Sequence, residues 1–299
     1  MSKLSVKRIF LLFAVSIAAF LLFITRNSEA VSPIVKSEAP PESIVSVHGI
    51  DVDQGASTLI KAEDCTVLID TGEEAYSGKL LNYLKGEDVS SIDMLFITHP
   101  HRDHYGAAIK LIEEVEVKEA FIPHIPDNME ADDILWDDML STLSKNNVDI
   151  FTLSEKESFP LGKGAELELL GPFLEDAKNL NDLSLSFKLI CGENSLLITG
   201  DCEKAAEKAL LSEDIDADIL FSGHHGSKTS ANDFFVEKVS PEASFISVGF
   251  GNSHGLPDRK HIENLLKYGD VYRSDLDGSV VFYMGRGGIT AFKEKGMKL

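Results

Sequence analysis

The chain has 299 residues, of which 43% are hydrophobic, so it can bury a sizeable core as one large domain or two small ones. Its 28 basic residues against 49 acidic ones give a formal net charge of -21. This charge works against loose, non-specific binding to nucleic acid without excluding a local cationic site. The three scattered cysteines, Cys65, Cys191 and Cys202, exclude a disulfide framework.

The first 30 residues differ in character from the rest. A positively charged start is followed by an almost unbroken apolar run over residues 9–25 and by small residues at 28–30. This order is typical of a secretory signal peptide or a short membrane anchor. We therefore expect the protein outside the cytoplasm, secreted or anchored to the cell membrane, with residues 1–30 contacting the membrane if they are not cleaved. The Pro-containing residues 31–43 are predicted to be a flexible tether.

From residue 44 to residue 299, strand-like and helix-like segments alternate in two halves. The predicted strands are 44–52, 56–61, 66–69, 92–97, 118–122, 150–153, 165–170, 185–190, 195–199, 218–221, 243–248, 271–273 and 279–284. The predicted helices are 75–84, 105–115, 132–145, 202–211, 232–239 and 258–268. This alternation predicts a single domain with two sheets packed face to face and helices outside.

The densest group of polar side chains follows the apolar run 92–97. His99, His101, Asp103 and His104 lie within six residues. A buried strand that ends in a tight loop would bring all four into one small volume. Imidazole and carboxylate groups are ligand types that zinc prefers. His99 and His101 can converge on one ion, and Asp103 and His104 can reach a second, so we interpret the group as a metal site rather than a chance cluster of surface histidines.

Two later positions add to this site. Asp201 follows a buried strand and a glycine, where it is well placed to bridge two cations, although aspartate there also serves as a helix N-cap. The loop after the next strand supplies the pair His224 and His225, followed by Ser227 and Lys228. Backbone N–H groups at the start of a helix suit an anion such as phosphate. A polar loop with a helix cap is the alternative interpretation of that segment.

In their order along the chain, these motifs resemble the metallo-β-lactamase superfamily, and within it the metallo-hydrolase domain of ComEC-type DNA-uptake proteins. The segments that carry the resemblance are 51–55, 68–72, 98–104, 181–185, 199–201, 223–230, 247–249, 252, 272–275 and 277–278. The resemblance implies an α+β fold, a four-layer αβ/βα sandwich over residues 44–299. It also implies a two-metal site at one edge of that sandwich.

The resemblance also implies the ligands of two divalent ions, with zinc as the first choice and manganese as the alternative. The implied ligands are His99, His101, Asp103, His104, Asp201, His225 and His224. His99 and His101 would hold the first ion, Asp201 would bridge, and the others would hold the second ion. His225 is preferred as the ligand with His224 behind it, but the sequence leaves the choice between them open.

The implied activity is hydrolysis of a phosphodiester of nucleic acid, with DNA as one candidate substrate and the choice between DNA and RNA left open. The two ions would bind a water and lower its pKa, and Asp103 or Asp201 would orient the resulting hydroxide. Lys228 would stabilise charge that develops on the phosphate. The residues expected to contact substrate are Asn181, Ser227, Lys228 and His254. The sequence indicates no protein partner.

Some positions depart from the family pattern. Superfamily members that open lactams or thioesters place another metal-binding histidine between the first motif and Asp201, but only His124 lies in that interval here. Asn181 occupies the polar position of this branch, so the first ion is expected to be weakly held or exchangeable. His254 is the candidate substitute for a histidine commonly found before the proline at 257. Hydrolysis of a lactone, thioester or β-lactam, a non-catalytic metal-binding accessory module, and Cys202 as a further ligand stay open as alternatives.

Overall fold

The computed structural model describes residues 42–131 and 134–294. The predicted signal or anchor segment 1–30 and residues 31–41 of the predicted tether lie outside the described residues. Within the described ranges, no helix is long and apolar enough to cross a membrane.

The described residues form fifteen strands and eight α-helices. The strands are β1 (Ser43–Gly49), β2 (Thr58–Lys61), β3 (Thr66–Ile69), β4 (Ser91–Phe96), β5 (Glu116–Pro123), β6 (Asp149–Leu153), β7 (Glu157–Gly162), β8 (Ala165–Gly171), β9 (Ser186–Cys191), β10 (Asn194–Ile198), β11 (Ile219–Phe221), β12 (Ala243–Ile246), β13 (Asp270–Arg273), β14 (Val280–Gly285) and β15 (Gly288–Lys293). The helices are α1 (Ser77–Gly86), α2 (Arg102–Tyr105), α3 (Ala108–Glu114), α4 (Ile134–Lys145), α5 (Lys204–Leu210), α6 (Asp233–Val239), α7 (Arg259–Leu265) and α8 (Ser274–Asp277).

The strands make two sheets of related design. The first has the order β15-β14-β1-β2-β3-β4-β5-β6 and the second the order β13-β12-β11-β10-β9-β8-β7. In the first sheet, β1 to β3 pair antiparallel and β3 to β6 pair parallel. In the second, β7 to β10 pair antiparallel and β10 to β13 pair parallel. Each half therefore runs from an antiparallel meander into parallel strands that need helical crossovers.

The main core lies between the two sheets. Phe96 on β4 contacts Phe187 on β9 and Phe159 on β7, with ring centroids 4.9 and 5.0 Å apart in edge-to-face geometry. The alternating apolar residues of both sheets continue this core, among them Val67, Ile69, Leu167, Leu189 and Ile198. Aromatic rings from opposite sheets therefore hold the two layers together.

The helices cover the outer faces of the sheets. On β10, Leu196 and Ile198 face the inter-sheet core, whereas Leu197 between them belongs to a second core, as expected for a strand buried on both sides. In that second core Leu197 packs with Leu210 of α5 and Phe235 of α6. On the first sheet, α3 and α4 contact each other and the strands β5 and β6. The predicted arrangement of two sheets with helices outside is confirmed.

Two edge strands were not predicted. β7 contains Pro160 and only two buried positions, and β15 is exposed or half-buried throughout. Both are terminal strands of their sheets, where backbone pairing to one neighbour holds the strand and little apolar periodicity is required. Of the predicted helix 105–115, Ala108–Glu114 form α3, whereas Tyr105 ends the preceding helix α2. The two helices are separated at Gly106, where a side chain would lie 2.6 Å from the backbone nitrogen of Glu74.

The buried His48 predicts a pH-dependent stability. Its ring contacts the hydroxyls of Tyr83 at 2.8 Å and Ser46 at 2.9 Å. Burial, with a smaller effect of the nearby Lys61 charge, lowers its pKa from 6.5 to about 3. The folded protein therefore keeps this ring neutral while the unfolded chain takes up a proton as pH falls below 6.5. This one group should lower the free energy of unfolding by about 1 kcal/mol between pH 7 and pH 5.5.

Urea unfolding at those two pH values, on the wild type and on His48→Gln, measures this effect. Between these pH values, the free energy of unfolding should fall by about 1 kcal/mol less in the variant than in the wild type, because glutamine does not titrate. An identical pH dependence in both proteins would contradict the prediction.

Candidate metal centre

The residues of the candidate site follow the carboxyl ends of strands in both sheets. Asp70 follows β3, His99 follows the end of β4, Asp201 follows β10 and His225 follows β11. Parallel neighbouring strands present their carboxyl ends at one edge of a sheet, and side chains from adjacent ends can therefore meet. Here the loops from the two facing sheets meet at the same edge.

His99 and His101 direct ring nitrogens at each other. His99 Nε2 lies 3.0 Å from His101 Nδ1, and His99 Nδ1 lies 3.1 Å from the hydroxyl of Thr98. Burial, followed by the proximity of His104, lowers the pKa of His99 well below its ordinary value, so its ring is neutral. A neutral imidazole that donates through Nδ1 offers the Nε2 lone pair to an ion.

His104 joins the two sides of the site. Its Nδ1 lies 2.7 Å from Asp70 Oδ2, and its Nε2 lies 3.3 Å from Asp201 Oδ1. That Nε2 is fully buried, yet it makes no hydrogen bond of acceptable geometry with any described residue. A buried nitrogen with no such partner is costly unless another group binds it.

His225 connects the second sheet to the first. Its Nε2 lies 3.0 Å from Asp103 Oδ2 and 3.5 Å from Asp201 Oδ2. Its Nδ1 contacts the carbonyl oxygen of Ser247 at 2.9 Å, which fixes the ring and aims Nε2 at the carboxylates. The backbone of His225 has a φ of 52°, in the left-handed region, so holding the ring in this orientation costs conformational energy.

Asp70 is a residue of the site to which the sequence analysis gave no role. Its carboxylate accepts hydrogen bonds from the backbone N–H and the hydroxyl of Thr98, both at 2.8 Å, besides contacting His104. It is buried. It lies in the 68–72 motif directly after a buried strand, which is the same context that singled out Asp201. That context was the available signal, but the pairing with His104 depends on the alignment of β3 with β4.

Gly200 permits the close approach of the two halves. A side chain at this position would lie 2.9 Å from Cβ of Ser184 and 3.0 Å from Cβ of Thr98, and its φ is 52°. Thr98 belongs to the first motif and Asp201 to the second half of the chain. Only glycine lets the backbone before Asp201 come this near.

The carboxylates and imidazoles of the site shift each other's protonation. Although burial opposes it, Asp201 and then Asp70 raise the pKa of His104 well above its ordinary value. Burial likewise opposes the effect of Asp201 and Asp103, which raise the pKa of His225. The pKa of Asp201 falls well below its ordinary value because His104 and His225 outweigh its burial. Positive charge is thus favoured here, and a divalent cation would replace protons on the imidazoles.

The donor set fits divalent metal ions. Two groups of side chains have ligand atoms within 4.8 Å of one another, and they share His104. They are His99, His104 and Asp201, and Asp103, His104 and His225. Imidazole nitrogens and carboxylate oxygens are the donors that zinc and related ions take in proteins. Because the two groups overlap, they suit two ions close together.

The remaining predicted site residues lie outside these two donor groups. His224 turns away from it, with Nδ1 3.2 Å from Glu203 Oε1 and 3.0 Å from Thr229 Oγ1. Asn181 is buried beside Glu203. Ser227 is half-buried and bonds Thr229. Two further residues, Lys228 and His254, are exposed.

Cys202 is not part of the cluster. Its buried Sγ lies 3.2 Å from Ser186 Oγ and contacts the carbonyl oxygen of Ser184. Burial raises the pKa of the thiol above its ordinary value, so it stays protonated. His124, which the sequence left as the only histidine between the motifs, is exposed at the end of β5.

The model of the metallo-beta-lactamase superfamily matches residues 50–249, the range that holds the whole cluster. The chain belongs to the metallo-β-lactamase superfamily. The superfamily fold implies divalent metal ions and hydrolytic chemistry, and the His and Asp groups described above can hold such ions. A solved structure of this fold, the protein YhfI from Bacillus subtilis, aligns with a TM-score of 0.51 and 13% identity over 83% of this chain and 100% of YhfI.

The curated relatives of this chain include ComE operon protein 3 and competence protein ComA. The chain is 29% identical to ComE operon protein 3 of Bacillus subtilis, over 88% of this chain and 34% of that protein. It is 26% identical to competence protein ComA of Neisseria gonorrhoeae, over 86% of this chain and 35% of that protein. The predicted resemblance to ComEC-type proteins is confirmed. The chain spans about a third of the length of these relatives.

Proposed function

We propose that this protein is a binuclear, metal-dependent phosphodiesterase that cleaves nucleic acid. The observation that carries the proposal is the pair of overlapping donor groups that share His104. One ion-binding group alone would suit a structural site, whereas two adjoining groups at an open edge suit hydrolysis of a phosphate ester. The relatedness to competence proteins supports nucleic acid as the substrate.

The proposed ligands follow from the nitrogen and oxygen atoms that face one another. His99 and His101, whose ring nitrogens lie 3.0 Å apart, would hold the first ion together with Asp201. Asp103, His104 and His225 would hold the second ion. We propose zinc or manganese, since both accept mixed nitrogen and oxygen donors. When bound, the two ions supply Lewis-acid stabilisation of phosphate charge and raise the acidity of water.

The chain's own residues position the reactants. Asp103 is partly exposed, with 29% of its side chain accessible, so it can accept a hydrogen bond from an incoming water and orient it. Asp201 lies deeper, at 5%, where it serves the ions rather than the substrate. Ser227 begins the exposed part of the loop, and Lys228 extends a cationic group from it toward solvent. We propose that these two groups bind the phosphate.

Two exposed lysines lie on the histidine loop and on the segment docked against it, in an otherwise acidic chain. Lys228 and Lys260 are exposed and make no ion pair with any residue of 42–131 or 134–294. The start of α7 is docked on the histidine loop, because Asp258 N donates to the carbonyl of Gly226 at 2.8 Å. The two lysines thus lie on adjoining segments. These lysines offer a local positive charge to a polyanion that the net charge of -21 would otherwise repel.

An exposed aromatic ring favours nucleic acid over other phosphodiesters as the substrate. Phe250 is 78% exposed at the start of the loop between β12 and α7. The loop is held by Asn252, whose Nδ2 donates to the carbonyls of Gly249 and Leu256 at 2.9 and 2.8 Å. A fixed loop that presents a ring to solvent offers a surface on which a base can stack. The proposed substrate is therefore DNA or RNA with unpaired bases.

We also propose that residues 1–30 direct the protein out of the cytoplasm. The apolar run over residues 9–25 after a positive start supports this, and the membrane is then the first surface that the segment meets. Expression of a reporter fused after residue 43, with and without residues 1–30, tests export. An exported reporter in both cases would contradict the proposal.

The proposed activity is tested with the purified protein on single-stranded DNA, bis-p-nitrophenyl phosphate and a chromogenic β-lactam. We expect cleavage of both phosphodiesters that stops on chelation and returns with zinc or manganese. Faster cleavage of the lactam would favour the alternative hydrolase. No cleavage of any substrate with two ions bound would favour an accessory module.

Asp70→Asn is expected to weaken metal binding without removing a ligand. The carboxylate fixes the ring of His104 through Nδ1, and an amide cannot accept from Thr98 and His104 as strongly. Loss of such a supporting group lowers metal affinity by about 10–100-fold. Competition with a chromophoric chelator measures this affinity. An unchanged affinity in Asp70→Asn would contradict the supporting role.

A further inference from the structure

The side chain of His261 joins helix α7 to both ends of the segment 222–227. The residue is buried, with 3% of its surface exposed. Its Nε2 lies 2.8 Å from the hydroxyl of Ser222, which directly follows β11. Its Nδ1 lies 2.9 Å from the carbonyl oxygen of Ser227. One ring therefore holds both ends of the segment that carries His225.

These two contacts determine which ring nitrogen of His261 carries the proton. A carbonyl oxygen can only accept a hydrogen bond, so Nδ1 must donate to Ser227. Burial lowers the pKa of His261, so the ring is neutral and its Nε2 accepts from the hydroxyl of Ser222. Both ring nitrogens are thus occupied by partners within the protein. Any effect of this ring on a substrate must pass through the residues that it holds.

Ser227 is held at a second atom as well. Its Oγ lies 2.9 Å from the hydroxyl of Thr229 and accepts a hydrogen bond from the backbone N–H of Thr229 at 3.3 Å. The hydroxyl of Thr229 lies 3.0 Å from Nδ1 of His224. Lys228 stands between these two internally bonded residues, and its side chain is exposed. A charged group on a backbone that is already ordered binds an anion with a smaller loss of conformational entropy.

Helix α7 also contacts the loop on either side of Ser227. Nδ2 of Asn264 donates to the carbonyl oxygen of Ala231 at 2.8 Å, and the backbone N–H of Asp258 donates to the carbonyl oxygen of Gly226 at 2.8 Å. Asn264 lies three residues after His261, on the same face of the helix. Of these three contacts, only that of His261 is made to a residue proposed to bind phosphate.

Resting on the proposed phosphate-binding role of Ser227 and Lys228, we infer that His261 is a positioning residue that fixes this pair for a phosphate group through the Ser227 carbonyl. Without that hydrogen bond, the pair must be ordered when the phosphate binds, which weakens binding. His225 is oriented separately by the carbonyl oxygen of Ser247. Loss of the His261 contact should therefore weaken phosphate binding and leave the metal content unchanged.

Two amide substitutions separate the roles of the two ring nitrogens. In His261→Asn, the side-chain NH2 takes the place of Nδ1 and can still donate to Ser227. In His261→Gln, the amide lies one carbon further out, where it replaces Nε2 toward Ser222 and leaves the Ser227 carbonyl without its donor. Alanine is avoided because it would leave both serines without this buried partner.

The affinity of the full-length, manganese-loaded protein for inorganic phosphate is measured by titration calorimetry, together with KM and kcat for bis-p-nitrophenyl phosphate. In His261→Gln, phosphate affinity should fall and KM should rise by at least about fivefold. Its kcat should stay within about twofold of the wild type, since ground state and transition state lose the same contact. In His261→Asn, all three quantities should stay within about twofold of the wild type.

Asn264→Ala is the matched control, because it removes a hydrogen bond of similar length between the same helix and a carbonyl beyond the phosphate-binding pair. It should lower the urea concentration at which the protein unfolds, as His261→Gln does, and leave phosphate affinity unchanged. Circular dichroism checks the fold of each variant, and elemental analysis checks that the metal content equals that of the wild type.

The inference would be overturned by wild-type phosphate affinity in His261→Gln, or by an equal loss in His261→Asn. An equal loss in Asn264→Ala would also overturn it, since general loosening of α7 would then explain the effect. A metal-loaded wild type that does not bind phosphate would contradict it as well. If the wild type binds phosphate and the variants follow the expected pattern but no phosphodiester is cleaved, the proposed function fails and this inference stands.

Discussion

Replacing Asp201 with asparagine is expected to reduce metal-dependent phosphodiester hydrolysis by at least about a thousandfold. The Asp201 carboxylate lies 3.3 Å from His104, 3.5 Å from His225 and 3.9 Å from His99, so it reaches ligands of both proposed ions. Asparagine keeps the volume and removes the negative charge. The variant should also bind fewer ions, which elemental analysis of the purified protein measures together with the cleavage rate.

Asp233→Asn is the matched control for this prediction. Its side chain is 78% exposed on α6, where it pairs with Lys267 at the surface. The same chemical change there should leave the cleavage rate and the metal content unaltered. Cleavage by Asp201→Asn at a rate close to that of the wild type would place the reaction elsewhere in the molecule.

The second large effect concerns the contact between the two sheets. Phe187 is completely buried on β9 and meets Phe96 of the opposite sheet at 4.9 Å between ring centroids. Phe187→Ala should lower the free energy of unfolding by about 3–5 kcal/mol, since it removes a large apolar group and leaves a cavity. Urea unfolding followed by circular dichroism measures this loss.

Phe250→Ala serves as the comparison, because Phe250 is 78% exposed and is therefore far less buried than Phe187. Its free energy of unfolding should stay within about 0.5 kcal/mol of the wild type. If Phe187→Ala lowered the free energy of unfolding as little as Phe250→Ala, the two sheets would not be held together by this aromatic contact.

The local part of the candidate metal centre could be predicted from sequence alone. His99, His101, Asp103 and His104 lie within one turn after a buried strand, so their proximity depends on chain connectivity and little else. The two-sheet architecture was also predictable, because apolar alternation reports which faces of a strand are buried. Edge strands β7 and β15 escaped prediction because a strand with one neighbour and an exposed face needs no such alternation.

Only the tertiary structure decided the long-range contacts of the site. The choice between His224 and His225 depends on the Ser247 carbonyl, which orients His225, and on Glu203, which holds His224 away from the carboxylates. Likewise, Asp70 meets His104 because β3 pairs with β4 in one register. The sequence by itself determined the types of the candidate ligands, the buried strands that precede them and the family. Strand pairing and the close approach of the two sheets determined which candidate ligands meet, because these distances depend on contacts between residues far apart in the chain.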